Sequence, residues 1–146
     1  MQVTNQLFPT EQAQLVEMMK PGPAGPIFMI NLLKFRDRAV YDDGRACDLS
    51  GREAYMIYGR AVTALLPKFG GRALFAGDVT HLTLGLVEEL WDEVAVASYP
   101  DRAALVAMSM SDEWREIAVH RSAGLAGQLN IETVASAGVA GWRSDG

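Results

Sequence analysis

The hydrophobic positions change period along the chain, and each change marks an element. Ile27 to Phe35 (IFMINLLKF) is apolar on both alternating faces, which predicts a strand buried on both sides. Behind Ser50, the residues Ala54, Tyr55, Tyr58, Ala61, Val62, Leu65, Leu66 and Phe69 keep the 3.6-residue period of an amphipathic helix. Ser50 and Glu53 open that helix as a capping box, each satisfying the other's orphan backbone donor. The helix is expected to fray at Pro67 and to stop at Gly70-Gly71, where a left-handed cap is easy. Extended segments follow at about Arg72 to Leu84 and Trp91 to Tyr99, joined by a turn around Gly85 to Leu90. Their alternation is clearest at Leu82, Leu84, Val94 and Val96, and they read as an antiparallel hairpin.

Pro100-Asp101 opens a short helix through Met108. Ser111, with Asp112 and Glu113 behind it, opens another that carries Trp114, Ile117, Ala118, Arg121 and Leu125 on one stripe. Gly124 and Gly127 loosen its end, and Leu129 to Val134 reads as the last strand. Ahead of this series, Thr10 and Glu11 cap a short helix with Leu15, Val16, Met18 and Met19 on one face, closed by Lys20-Pro21. The Pro21 to Pro26 segment is a loop, and so is the polar stretch from 36 to 50, the longest in the chain. Ser136 to Gly146 is a small, polar tail apart from Val139 and Trp142.

The order strand, helix, strand, strand, helix, strand is the ferredoxin-like βαββαβ arrangement of an α+β domain. It implies a four-stranded antiparallel sheet with helices on one face and an added N-terminal helix. The first strand's second apolar face then needs cover, and an identical sheet from another subunit supplies it in a closed two-fold homodimer. The expectation is one domain: a core over 27–134, an N-terminal extension over 1–26 and a tail over 135–146.

Composition narrows the classes. The chain has 146 residues, enough for one sizeable core. Its net charge is −5, and its 13 basic residues are scattered, so the concentrated patch of a nucleic-acid surface is missing. Cys47 is the single cysteine, which excludes an intrachain disulfide and a cysteine-based metal cage. No apolar run approaches the roughly 18 residues that span a bilayer, and Met1 to Thr10 does not read as a signal peptide. A soluble cytoplasmic protein is the expectation, with no membrane or nucleic-acid partner.

Several stretches also carry a resemblance. They are MINLLKF, Tyr55-x-x-Tyr58, Phe69-Gly70-Gly71-Arg72, Trp91-Asp92, the SYPDRAA turn at 98 to 104, and Ser111-Asp112-Glu113-Trp114 running on to Arg121. In this order and spacing they resemble the domain-of-unknown-function family numbered 1330, within the dimeric α/β-barrel superfamily, over roughly 27 to 134. The resemblance implies the fold and a dimer. Superfamily relatives include cofactor-independent monooxygenases, lactone isomerases, polyketide cyclases and haem-binding peroxidase-like enzymes, which use a cleft between sheet and helices or within the barrel. No catalytic motif of those relatives maps onto this chain, and fold alone does not assign function.

The candidate site residues are polar groups placed where apolar ones are expected. Asn31 sits mid-strand, either bridging to a neighbouring strand or orienting a ligand carbonyl. Arg121 projects from a helical stripe, and pairs with a carboxylate such as Asp92 or Glu132 or binds an anionic or enolate ligand. Tyr55 and Tyr58 share the core side of the capped helix, and each hydroxyl needs a partner. Trp91 and Trp114 are packing residues or pocket walls. His81, on the second strand beside Phe75, Val79 and Thr83, is the general-base candidate by chemistry. His120 is expected to be exposed, and Lys34 and Arg36 are candidates for guarding a pocket mouth. Two histidines at this spacing imply no metal site, and no phosphate loop, dinucleotide fingerprint or nucleophile elbow is present. The reading is a small-molecule enzyme without cofactor, moving a proton next to a carbonyl or admitting oxygen, with Tyr58 and His81 catalytic. The alternative is a non-catalytic ligand-binding or structural dimer.

Overall fold

The strand with two apolar faces forms as the pattern predicts: in the computed structural model, β1 spans Ile27–Phe35. The structure describes residues 12–136. Thr10 and Glu11, read as the cap of the first helix, and Val139 and Trp142 of the tail lie outside the described residues. The remaining elements are α1 (Gln12–Met18), α2 (Gly51–Leu65) with a one-turn 3-10 extension (Leu66–Phe69), and β2 (Arg72–Asp78). They are followed by β3 (Glu93–Tyr99), α3 (Arg102–Ser109), α4 (Asp112–Gly124) and β4 (Leu125–Thr133).

The sheet runs β2-β3-β1-β4 with every neighbour antiparallel, which is the ferredoxin-like order. Asn31 stands opposite Ala95 of β3 and Asn130 of β4, so these three share a face. On that face Ile27 and Met29 bury against Leu65, Leu66, Tyr99 and Met108, the main apolar cluster under the helices. The other face carries Phe28, Ile30 and Leu32 beside Val94, Val96, Leu129 and Ile131, all of them partly or largely exposed.

The helix ends follow local chemistry. The Ser50 hydroxyl accepts from the Glu53 N–H and the Glu53 carboxylate accepts from the Ser50 N–H, completing the capping box. Pro67 begins the 3-10 turn, and Gly70 ends it in the left-handed region at φ 77°. Asp101 caps α3 and Ser111 caps α4 through their side-chain oxygens.

The structure departs from the sequence pattern at the ends of several elements. β2 stops at Asp78, not Leu84, because the ladder ends where Asp78 meets Glu93 and only Val79 still donates across, to Asp92 O at 2.9 Å. Leu82 and Leu84 are 40% and 89% exposed, so the alternation there marks no buried strand face. β4 begins at Leu125, not Leu129: α4 runs directly into the strand, and Leu125 is fully buried as its first residue instead of closing the helical stripe. Gly124 does not loosen the helix end. It is a point of close approach, since a Cβ there would strike the Gly51 carbonyl and the Tyr55 backbone of α2.

The long segment 36–50 is pinned. Arg36 and Val40 donate backbone N–H bonds to Gly124 O and Ala123 O, satisfying carbonyls that the end of α4 leaves orphaned. Tyr41 is buried, and its hydroxyl lies 2.6 Å from His120 Nδ1 on α4. His120 is therefore half-buried, contrary to the expected exposure, and burial lowers its pKa.

Candidate functional site

Small side chains open a hollow on the helix-facing side of the sheet. Ala95 and Ala97 on β3, with Ala73 and Ala76 on β2, form a low floor where larger residues would fill the space under α2. The result is a cleft of about 1780 Å³ bounded by the sheet, α1, α2, α3 and α4. That exceeds the roughly 300–1,000 Å³ usual for a small-ligand site.

The cleft gathers most of the predicted residues. Asn31, Tyr55, Tyr58, Trp114 and Arg121 all line it. α2 supplies the two tyrosines from successive turns, and their rings sit 5.4 Å apart between centroids. α4 supplies Trp114 and Arg121 from the same stripe, two turns apart. The Trp114 indole N–H donates to the Tyr58 hydroxyl at 3.2 Å, and the two rings meet edge to face.

Two predicted residues fall elsewhere. His81 lies past the end of β2 in an exposed loop, 3.3 Å from the Thr83 hydroxyl and away from the cleft lining. The strand placement that made it a pocket base is corrected by the early end of the β2–β3 ladder. Trp91 is buried just ahead of β3 and does not line the cleft either. Lys34 and Arg36 border a separate, smaller hollow with Asp92.

Asn31 and Arg121 are linked through a residue that the hydrophobic pattern does not single out. Gln128, buried on β4, accepts from Arg121 Nη2 at 2.6 Å and donates to Asn31 Oδ1 at 3.1 Å and Asn130 Oδ1 at 2.6 Å. Asn31 in turn donates to the carbonyls of Met29 and Ala95. The expected carboxylate partners of Arg121 are engaged elsewhere. Glu132 takes the forked guanidinium of Arg102 at 2.8 and 2.7 Å, and Asp92 accepts from the Phe35 N–H and Lys34. The hydrophobic pattern hides Gln128: it lies just ahead of the strand expected from Leu129, and only the β1–β4 register, with its bulge at Lys34/Phe35, puts 128 and 130 on the face of Asn31.

The tyrosines keep their protons. Burial pushes the phenols of Tyr55, Tyr58 and Tyr99 above their usual range, while the Arg121 charge pulls back on Tyr55 and Tyr58. Tyr58 and Tyr99 are each more than nine-tenths buried. Among the described residues no atom accepts a hydrogen bond from the hydroxyl of Tyr55 or Tyr99, and Tyr58 only accepts, from Trp114. The cleft lining thus includes neutral phenols together with a cation that is hydrogen-bonded to Gln128, residue types suited to an acceptor oxygen that gains negative charge.

The family follows from residues 45–133, which match the model described as Domain of unknown function (DUF1330). The chain belongs to this family. It is similar to the RPA0582 protein of Rhodopseudomonas palustris, a protein of unknown function. The crystal structure of RPA0582 shares 32% identity, with 89% of this chain and 96% of that one covered, at a TM-score of 0.77. The methylated form of RPA0582 gives 33% identity over 94% and 100% of the two chains, with a TM-score of 0.81. A dimeric ferredoxin-like protein of unknown function from Jannaschia sp. CCS1 shares the fold at 14% identity, 76% and 100% coverage and a TM-score of 0.51. No curated protein matches. Among the described residues no helix is long and apolar enough to cross a membrane, and no group of three or more His, Cys, Asp or Glu could hold a metal ion.

Proposed function

We propose that this member of the family is a homodimeric small-molecule enzyme that works without a bound organic cofactor or metal. It polarises a carbonyl in the cleft between sheet and helices and moves a proton next to it. The observation that carries this reading is that Tyr55, Tyr58, Tyr99 and Arg121 all line one hollow floored by alanines. Aromatic walls over a low floor suit a flat, largely apolar molecule, and the donors suit its carbonyl oxygen. Tyr58 is the hydrogen-bond donor to that oxygen. Arg121 is held in place by Gln128 and stabilises the developing charge. Asn31 steadies Gln128 from the strand.

The second apolar sheet face supports the dimer: Phe28, Ile30, Leu32, Val94, Val96 and Leu129 form one continuous patch on a single face. Binding without turnover is the second reading, favoured by the Trp114–Tyr58 and Arg121–Gln128 bonds, which hold the polar groups of the lining in fixed positions.

A panel of flat aromatic ketones and 1,3-dicarbonyl compounds, screened by saturation-transfer NMR, tests the site. Gly59 lines the cleft, and a Cβ there meets no atom within 4 Å, so Gly59→Trp narrows the hollow from the α2 side. Compounds that bind the wild type are expected to bind Gly59→Trp more weakly. Binding of undiminished strength would place the site elsewhere. Turnover of a bound compound that falls in Tyr58→Phe separates the enzyme from the binder.

A further inference from the structure

Removing His81 from the cleft leaves the proposed reaction with donors for an oxygen but without its expected proton acceptor, and the cleft's Glu132 is held by Arg102. Glu93, the first residue of β3, fills that gap by position. It pairs with Leu33 of β1 and Asp78 of β2, and so lies on the helix-facing side, where it lines the cleft. Its side chain is 18% exposed, yet among the described residues it makes no hydrogen bond. Its one ion pair is long, 3.5 Å to Arg52 Nη1, because that nitrogen is bound to Asp78 at 2.8 Å. The Arg52 guanidinium is also stacked over the Phe35 ring at 4.7 Å. Glu93 acts electrostatically on Tyr55 in opposition to Arg121, so base, tyrosine and cation share one neighbourhood.

We infer that Glu93 is the proton acceptor of the cleft, removing a proton from the carbon next to the carbonyl of a flat aromatic ketone. The inference rests on the reading of the cleft as a carbonyl site. The C–H proton passes to a Glu93 carboxylate oxygen, and the C–H electron pair becomes the enolate double bond. The carbonyl oxygen takes the negative charge and is held by the tyrosine O–H groups and Arg121. Return of the proton to carbon completes an isomerisation or exchange, with no oxidant or reductant entering. Burial, reinforced by Asp78 and opposed by Arg52, raises the Glu93 pKa, which strengthens it as a base.

β-Tetralone, a bicyclic aromatic ketone with a benzylic C–H beside its carbonyl, is the probe. Proton NMR in heavy water reads both its binding and the replacement of that hydrogen by deuterium. The wild-type protein is expected to accelerate exchange over buffer, with a rate that climbs as pH rises through the elevated carboxyl pKa. Glu93→Gln is expected to bind β-tetralone unchanged and to lose about a hundredfold in exchange rate. Glu93→Asp, with the carboxyl on a shorter arm, should recover part of it. Exchange at the wild-type rate in Glu93→Gln would overturn the assignment, as would bound β-tetralone that exchanges no faster than in buffer. Either result leaves the cleft reading intact. Failure of β-tetralone to perturb the protein at all would count against both.

Discussion

Gln128 shows how much of the site depends on one neutral side chain. It joins Arg121, Asn31 and Asn130, and it is buried, so its loss removes three hydrogen bonds at once. Gln128→Leu is expected to cost roughly 1–3 kcal/mol in urea unfolding, because Asn31 Oδ1 loses its donor and Arg121 loses an acceptor. Glu93 behaves in the opposite sense. Its folded pKa is raised, so its contribution to stability is fully present below the unfolded carboxylate value of 4.5 and is lost as pH rises through the folded value. Glu93→Gln should therefore melt above wild type at pH 7, and the difference should vanish in acid. A lower melting temperature for Glu93→Gln at pH 7 would show that the Arg52 pair outweighs burial. An activity bought at such a local cost is what a functional carboxyl predicts. Asn31, Tyr55, Tyr58 and Arg121 were legible in the sequence because each breaks or burdens an apolar pattern. Glu93 and Gln128 were not, because a polar residue in or beside an expected strand looks solvent-facing until the register is known.

At the scale of elements, the capping box and the two-faced strand are short-range signals, and both elements form where they point. The errors lie where a long-range partner decides. Local alternation predicts a strand through His81, but β3 begins at Glu93 and offers no partner past Val79. Gly124 reads from sequence as loosening the end of α4, while its real constraint is the backbone of α2 across the crossing. Two glycine variants separate these ideas. Gly124→Ala should destabilise by about 1–3 kcal/mol, since the crossing of α2 and α4 must open to admit a methyl group. Gly59→Ala, mid-helix with open space beside it, should stabilise by about 0.5–1 kcal/mol. Equal effects of the two in thermal unfolding would contradict the packing described at the α2–α4 crossing.

At the scale of the molecule, the helices and the sheet's other face divide the work. The helix side holds the cleft, and the opposite side carries the apolar patch proposed to meet a second copy. Ile131 is 45% exposed on that patch, so Ile131→Lys leaves the protomer's own core intact while placing a charge at the two-fold interface. Light scattering should give the mass of two chains for wild type and a shift towards one for the variant; one chain for wild type would remove the dimer. The cleft itself is tested most directly by methyl NMR during a titration with β-tetralone. Met29 and Met108 line the cleft, whereas Met19 and Met110 are exposed outside it. The account predicts that the Met29 and Met108 methyl signals move with saturating probe while those of Met19 and Met110 stay fixed. Movement of Met110 or Met19 with Met29 and Met108 unchanged would contradict it.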